Sequence, residues 1–441
     1  MTKTPRRLFA LLLACALYPA APAQTLARPG WVGSGMTSDL WWQRAVIYQV
    51  DPRNFNPSGG TPLHGLAQRL DYLRSLGVDA LLLTPIQPDS SHAQSIDPTY
   101  GTIDDLDDLI HQASRHNIRV LLDLYPQIPE ADVPNVARFW LNHGIAGFHV
   151  IGTSDVSHAQ AAALHRSTGS YLGQRVVIAD VDPTLPNDPR QRTYRAPDPQ
   201  SPQLLLDTRP GTSTTLSAST IRPAIDTLQD ILQAGHSVPI LATDGPAYKR
   251  SISRYADGQH DLAIAKVIAT LLFTTRAEPL LYYGQELGLP NSSTPLILWD
   301  ALPLPTKNKP APLPKPQTSD VALQDADPTS LLNWYRQLSA LRHSSAAIGS
   351  GGDITLNHDD QNTLVLVRKP QNVSPITPVL VILLNLSAQP VQLSLKHDIQ
   401  RLHLRGSFLR TVLRSDGGRG PMDLQSMTLP PYAVYIGELR Y

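Results

Sequence analysis

Residues 138–152, Arg138-Phe-Trp-Leu-Asn-His-Gly-Ile-Ala-Gly-Phe-His-Val-Ile-Gly152, change their periodicity in the middle. The first half reads as the end of an amphipathic helix. Val136, Phe139, Trp140 and Ile145 supply the apolar positions and Gly144 stops the helix. The second half, Gly147 to Ile151, is a short apolar run suited to a buried parallel strand. A helix that hands over to such a strand is one step of an alternating α/β chain.

The same step recurs on both sides. Upstream, Ala45 to Val50 reads as strand 1. A helix from Leu63 to Leu76 follows, with Leu66, Leu70, Leu73 and Leu76 at helical spacing and Gly77 as its cap. Ala80 to Ile86 is strand 2, Ile103 to His116 a helix, Arg119 to Tyr125 strand 3, and Val133 to His143 the helix before strand 4. Downstream, Arg175 to Val181 and Gln203 to Asp207 read as strands 5 and 6, with a Pro-rich loop to about Ser201 between them. A helix near Ser219 to Ala234 precedes strand 7, Val238 to Ala242. The helix Asp261 to Thr274 precedes strand 8, Glu278 to Tyr283. Alternating strands and helices predict a parallel sheet with crossover helices. Eight units in roughly 300 residues predict a (β/α)8 TIM-type barrel, here spanning 40–345. Ala301 to Ser319 is Pro-rich and reads as an extended loop, and Pro328 to His343 as the last barrel helix. Beyond it, Thr363 to Arg368, Pro378 to Asn385, Val391 to Leu395 and Ala433 to Glu438 are short runs between turn signals. They predict a small antiparallel β-sandwich over 346–441.

Composition narrows the partners. Lys plus Arg and Asp plus Glu balance at 37 each, so net charge gives no case for nucleic acid or an anionic surface. At the N-terminus, Lys3, Arg6 and Arg7 precede an apolar run, Leu8 to Leu17, too short to span a bilayer. This predicts a signal peptide over 1–23, cleaved after Ala21-Pro22-Ala23, a loose segment over 24–39, and a periplasmic or extracellular protein. Leu12-Leu13-Ala14-Cys15 offers a second reading, a lipoprotein acylated at Cys15, the only cysteine. No later segment reads as a membrane span, and no metal cluster, phosphate-cradling glycine loop or nucleophile elbow is present. No cofactor or metal is expected.

The opening stretch closely resembles the R-F-W-L-x-x-G-[IV]-D-G-F-R-[LV]-D segment of the α-amylase superfamily of glycoside hydrolases. Trp41 to Phe55 (WWQRAVIYQVDPRNF) resembles the family's opening strand, and Ile96-Asp-Pro-Thr-Tyr-Gly-Thr its [IV]-D-P-x-[FY]-G-T helix entry. Leu281-Tyr-Tyr-Gly-Gln-Glu-Leu-Gly is similar to its strand 8, and Trp299-Asp300 to its later W-D. In that family the last Asp of the segment is the nucleophile and the Arg two residues earlier orients the site. Here Ile151 and His149 stand at those positions. The resemblance places Asp180, one methylene shorter than the family's Glu, at the acid/base position, and Asp244 at the third carboxylate. At strand 3 Asp123 is kept, while Gln127 and Ile128 replace the Asn and the sugar-binding His. Ser90 to Ser95 holds neither the Tyr nor the Asp of the family's G-Y-D segment. The domain inserted after strand 3, the usual source of a Ca²⁺ site, is missing, and Asn56-Pro-Ser-Gly-Gly is too poor in carboxylates for calcium.

Retaining glycosidases need two carboxyl groups roughly 5 Å apart. With Ile151 at the nucleophile position, the resemblance implies a barrel without standard catalysis, serving as a carbohydrate-binding or partner-binding scaffold. An α-glucan, an oligosaccharide or a protein is the expected partner. The family includes such members, the ectodomains of amino-acid transporter heavy chains. The alternative is an active α-glucan hydrolase or transglycosylase rebuilt around Asp180 and Asp244, or on carboxylates relocated to Asp51, Asp155 or Asp207. Sugar binding wants aromatic side chains over the barrel mouth, for which Tyr48, Tyr125 and Tyr283 are candidates beside Asp123 and His149. A pure interaction protein would fill the mouth with side chains such as Ile128 and Ile151. Glu286 and Asp300 read as frame.

Overall fold

The computed structural model describes residues 40–55, 60–171, 173–181, 202–234, 237–291, 297–299, 320–356 and 361–441. The proposed leader with Cys15, the segment 24–39, Asn56 to Gly59, most of the loop before Ser201, Asp300 and the stretch 301–319 lie outside the described residues. Leu40–Tyr441 form one compact unit.

Eight parallel strands close into a barrel in sequence order. They are β1 Ile47–Val50, β2 Ala80–Leu83, β3 Arg119–Leu124, β4 Gly147–Val150, β5 Val176–Val181, β6 Leu204–Asp207, β7 Val238–Leu241 and β8 Glu278–Tyr282. β8 returns to pair with β1 through Leu280 and Ile47. Alternation along each strand sorts the apolar residues into two cores. Ile47, Ala80, Leu82, Leu121, Val176, Ile178, Leu204, Leu206, Ile240 and Leu280 fill the interior, which Trp41 and Trp42 join at its amino-terminal end. Their odd-one-out neighbours, such as Tyr48, Leu81, Leu122, Phe148 and Val177, pack outward against the helices.

The predicted barrel strands are each present, one to three residues shorter than read. The helix expected from Leu63 to Leu76 is two, Pro62–Ala67 and Leu70–Leu76, because the backbone tightens where Arg69 N bonds Leu66 O. The helix Asp155–Thr168, capped by Ser154, follows β4 at a place the sequence analysis leaves unassigned. The last barrel helix is Leu331–Ser344, capped by Ser330, so Pro328 belongs to the preceding turn.

The carboxy-terminal part is a six-stranded antiparallel sheet of β9 Gly352–Leu356, β10 Thr363–Lys369, β11 Leu380–Asn385, β13 Phe408–Arg414, β14 Met422–Asp423 and β16 Val434–Arg440. Leu364, Leu366, Ile382 and Leu384 pack into the barrel's outer core. Val365, Val367, Val381 and Leu383 face a second core. That core is closed by the short ribbon of β12 Val391–Leu393 and β15 Met427–Leu429 and by Ile399. The sandwich is therefore lopsided, a full sheet under a two-stranded ribbon.

Buried arginines bolt the outer helices and the sheet to the strand ends. Arg342 donates to the carbonyls of Phe273, Thr275 and Ala277 and, at 2.6 Å, to the Glu278 carboxylate. Arg368 of β10 donates to the carbonyls of Thr274, Ile348 and Gly351. Burial pushes Glu278 up to about 7 even though Arg342 pulls the other way. Removing one partner of such a pair strands a buried charge, whereas removing both does not. Arg342→Met should cost about 3–5 kcal/mol in denaturant unfolding. Adding Glu278→Gln should recover most of it, and a double variant no more stable than the single one would count against the pair as the cause.

Candidate functional site

In a parallel barrel the strands deliver functional side chains at their carboxy-terminal ends. Gln49, Asp123, His149 and Asp180 each lie two residues beyond an inward-facing position of β1, β3, β4 and β5, so they point into the barrel neck. Asp123 and His149 are direct register partners. The structure joins three of the expected site residues into one chain of contacts. His149 Nδ1 donates to Asp123 Oδ1 at 2.7 Å and its Nε2 to Asp180 Oδ1 at 2.9 Å. Gln49 Nε2 donates to Asp123 Oδ2 at 2.8 Å, and the Gly152 amide to Asp180 Oδ2 at 2.7 Å. All four side chains are buried. Gly152 has φ +93°, a left-handed conformation that glycine adopts without a Cβ penalty and that belongs to the turn aiming its amide at Asp180.

Burial alone disfavours an imidazolium. Asp180 and Asp123 outweigh it and push His149 up to about 10. Burial pushes Asp123 upward too, against the pull of His149 and Gln49. The neck therefore holds a doubly protonated imidazole between two carboxylates, with each contacted oxygen and nitrogen matched.

The remaining candidates are placed elsewhere. Asp244 accepts from the Ser251 amide at 2.9 Å and lies against Ala265, Ile268, Gln285 and Tyr335, in the layer of outer helices. Beyond Leu241 the chain has left the strand, so alternation no longer aims the carboxylate into the barrel. Tyr48 points outward, is fully buried and donates to Glu286 Oε1, which also accepts from Tyr72. It is a frame residue rather than an aromatic platform at the mouth, and Glu286 is frame as expected. Tyr283 is buried beside Arg250, which stacks on it and donates to its carbonyl. Tyr125 keeps partial exposure, as does Tyr282, an inward-parity residue of β8 that the sequence analysis does not single out. Gln49 was likewise missed, although a lone amide at inward parity in an apolar strand is a readable signal. Ile128 packs in the outer core and Ile151 is only partly buried, so neither makes a sealed plug. Among the relocated carboxylates, Asp207 is held by Arg209 through both oxygens, Asp51 by Arg53, and Asp155 is exposed at a helix start. Among the described residues no group of three or more His, Cys, Asp or Glu is arranged to hold a metal ion.

Comparison with known proteins shows what this barrel is similar to. The family model described as alpha amylase, catalytic domain, matches residues 47–127. The chain is 28% identical over 382 residues to the amino acid transporter heavy chain SLC3A2 of Oryctolagus cuniculus, covering 74% of this chain and 66% of that one. It is 46% identical over 95 residues to the trehalose-6-phosphate hydrolase of Escherichia coli, 19% of this chain and 17% of the relative. The matches thus span 66% or less of these relatives' own lengths. The crystal structure of isomaltulose synthase from Klebsiella superposes with a TM-score of 0.75 at 18% identity, covering 92% of this chain and 100% of that chain. The chain belongs to the α-amylase superfamily.

The charged chain in the neck sets a pH dependence. A His raised from its unfolded 6.5 to about 10 contributes stability that is fully present below about 6.5 and is lost as pH rises through about 10. Denaturant unfolding between pH 6.5 and 10 should show this loss in the native protein. His149→Gln should be less stable at pH 7 by about 3–5 kcal/mol, since it leaves two buried carboxylates without their cation, and its loss over the same pH range should be smaller. Parallel pH curves for the two proteins would rule out the imidazolium.

Proposed function

We propose that this protein is an exported, catalytically inactive member of the superfamily that acts as a binding scaffold for an oligosaccharide or a protein partner. The observation that carries the reading is the state of Asp180. Its two oxygens are taken up by His149 and by the Gly152 amide, while Ile151 occupies the nucleophile position. Double displacement needs one carboxylate free to attack and a second free to give and take a proton. The neck offers neither. The rebuilt-site alternative asks Asp244 to work with Asp180, but Asp244 is bonded to Ser251 in the outer layer.

Two features support a binding role. Tyr125 and Tyr282 leave partly exposed aromatic surface at strand ends, suited to a sugar ring. The relative matched along most of this chain is named as the heavy chain of an amino acid transporter, which favours a protein partner. Export rests on the charged and apolar pattern of 1–23, and the intact mass of the exported protein would distinguish cleavage before Gln24 from acylation at Cys15.

The test is release of reducing sugar from α-glucans and aryl α-glucosides by the native chain, Asp180→Asn and Ile151→Asp. No release above the protein-free background is expected from any of them, because restoring a carboxylate at 151 leaves Asp180 tied. Turnover by the native chain that disappears in Asp180→Asn would overturn the proposal. A glycan-binding screen on the same samples then separates a sugar-binding scaffold from a protein-binding one.

A further inference from the structure

At the end of the barrel opposite the neck, Trp41 closes the interior, and two arginines are tied to its indole. The Arg119 guanidinium lies over the ring, 4.6 Å from its centroid. The indole Nε1 donates to Gln174 O at 2.9 Å, which holds the residue before Arg175 at the edge of the same ring.

The strand starts set the distance between the two cations. Ala146 N donates to Val120 O and Val176 N donates to Ala146 O. Arg119 and Arg175 each stand one residue before these positions, on either side of β4. Two strand spacings put their backbones roughly 10 Å apart, a span that two arginine side chains can close on one small group. Gln203 fixes the start of β5 further, since its Oε1 accepts from the Val177 amide and its Nε2 donates to Arg175 O.

Neither guanidinium has a hydrogen-bonded acidic partner among the described residues. Asp79 is the one described carboxylate within electrostatic reach of Arg119, and Arg175 has none. Asp79 already accepts from the Val46 amide at 2.9 Å and contacts His343 Nε2 at 2.8 Å. Arg175 Nε is buried without a hydrogen-bond partner. The buried Arg342 and Arg368, by contrast, spend their Nη groups on backbone carbonyls and Glu278. Partial burial pushes both Arg119 and Arg175 downward. For Arg119, Asp79 pulls the other way and the charge of Arg175 adds to the effect of burial. The place is short of negative charge.

We propose that Arg119 and Arg175 form an anion site at the amino-terminal end of the barrel that takes a phosphate group, free or carried as a monoester, with the Trp41 indole positioning Arg119. One guanidinium fork uses both oxygens of a carboxylate, whereas a phosphate group has oxygens left for a second fork. The site lies across the barrel from Asp180 and does not depend on whether the neck is catalytic.

Equilibrium dialysis of the full chain at low salt, with inorganic phosphate and separately with glycerol phosphate, should show one saturable site. Tighter binding of the ion would assign the site to free phosphate, and tighter binding of the ester to a carried one. Acetate should compete much less well than either. Arg175→Gln and Arg119→Gln should each weaken binding about tenfold or more. Arg175→Lys, which keeps the charge and most of the stem, should bind between the native chain and Arg175→Gln, with the native melting curve. Absence of saturable binding by the native chain, competition by acetate equal to that by phosphate, or undiminished binding by Arg175→Gln would each overturn the proposal.

Discussion

His149 stands on the middle strand of three, with Asp123 on one side and Asp180 on the other, and donates to both. In a buried neck a lone carboxylate would take up a proton rather than stay charged. Two carboxylates so close would oppose one another's ionisation unless a cation lay between them. The imidazolium supplies that cation with its donors on opposite edges of a flat ring, a shape suited to bridging β3 and β5 across β4. Gln49 and the Gly152 amide take the outer oxygens. Each member is satisfied only while the others are in place, so the strand ends, the turn after β4 and the protonation state of His149 are fixed together.

This arrangement makes sense of two substitutions at once. The family resemblance places an arginine at 149 to serve a carboxylate at 151, and here both are changed. Once Ile151 carries no charge, a cation at 149 has only Asp123 and Asp180 to serve, and histidine reaches both. The same contacts that stabilise the neck occupy both Asp180 oxygens. A general acid must hold a proton it can give to substrate, whereas the proton nearest Asp180 belongs to an imidazole that a second carboxylate also holds. On the proposed reading, the change at 151 and the tying of Asp180 go together.

The barrel was legible in the sequence because its strands are apolar runs and most of its helices have a clear stripe or a glycine stop. The helix Asp155–Thr168 was not, since its Ala-rich sequence spreads small residues around the cylinder and only Ser154 marks its start. At the site, the positions of Asp123, His149 and Asp180 were legible, while their mutual contacts required the register of β3, β4 and β5. Parity within β1 would have turned Tyr48 outward, as the flanking Ile47 and Gln49 face in. Asp244 is a different case. It lies beyond the paired part of β7, where neither alternation nor a motif says which layer a side chain enters.

Buried charge appears at more than one level of the barrel. Arg342 and Glu278 form an ion pair where β8 begins, Trp41 and Trp42 close the interior before β1, and the Asp123–His149–Asp180 chain crosses the neck where β3 to β5 end. Between them the interior is filled with aliphatic side chains. Such charges cost desolvation and hold only with their geometry intact, so they favour a single rigid arrangement over a site that must reorganise during turnover. A barrel braced in this way offers a ligand little inside the neck. What remains for recognition is the rim, where Tyr125 and Tyr282 keep exposed surface, and the outer faces of the molecule. On the scaffold reading proposed above, recognition takes place there, on shape and charge presented by a stable frame.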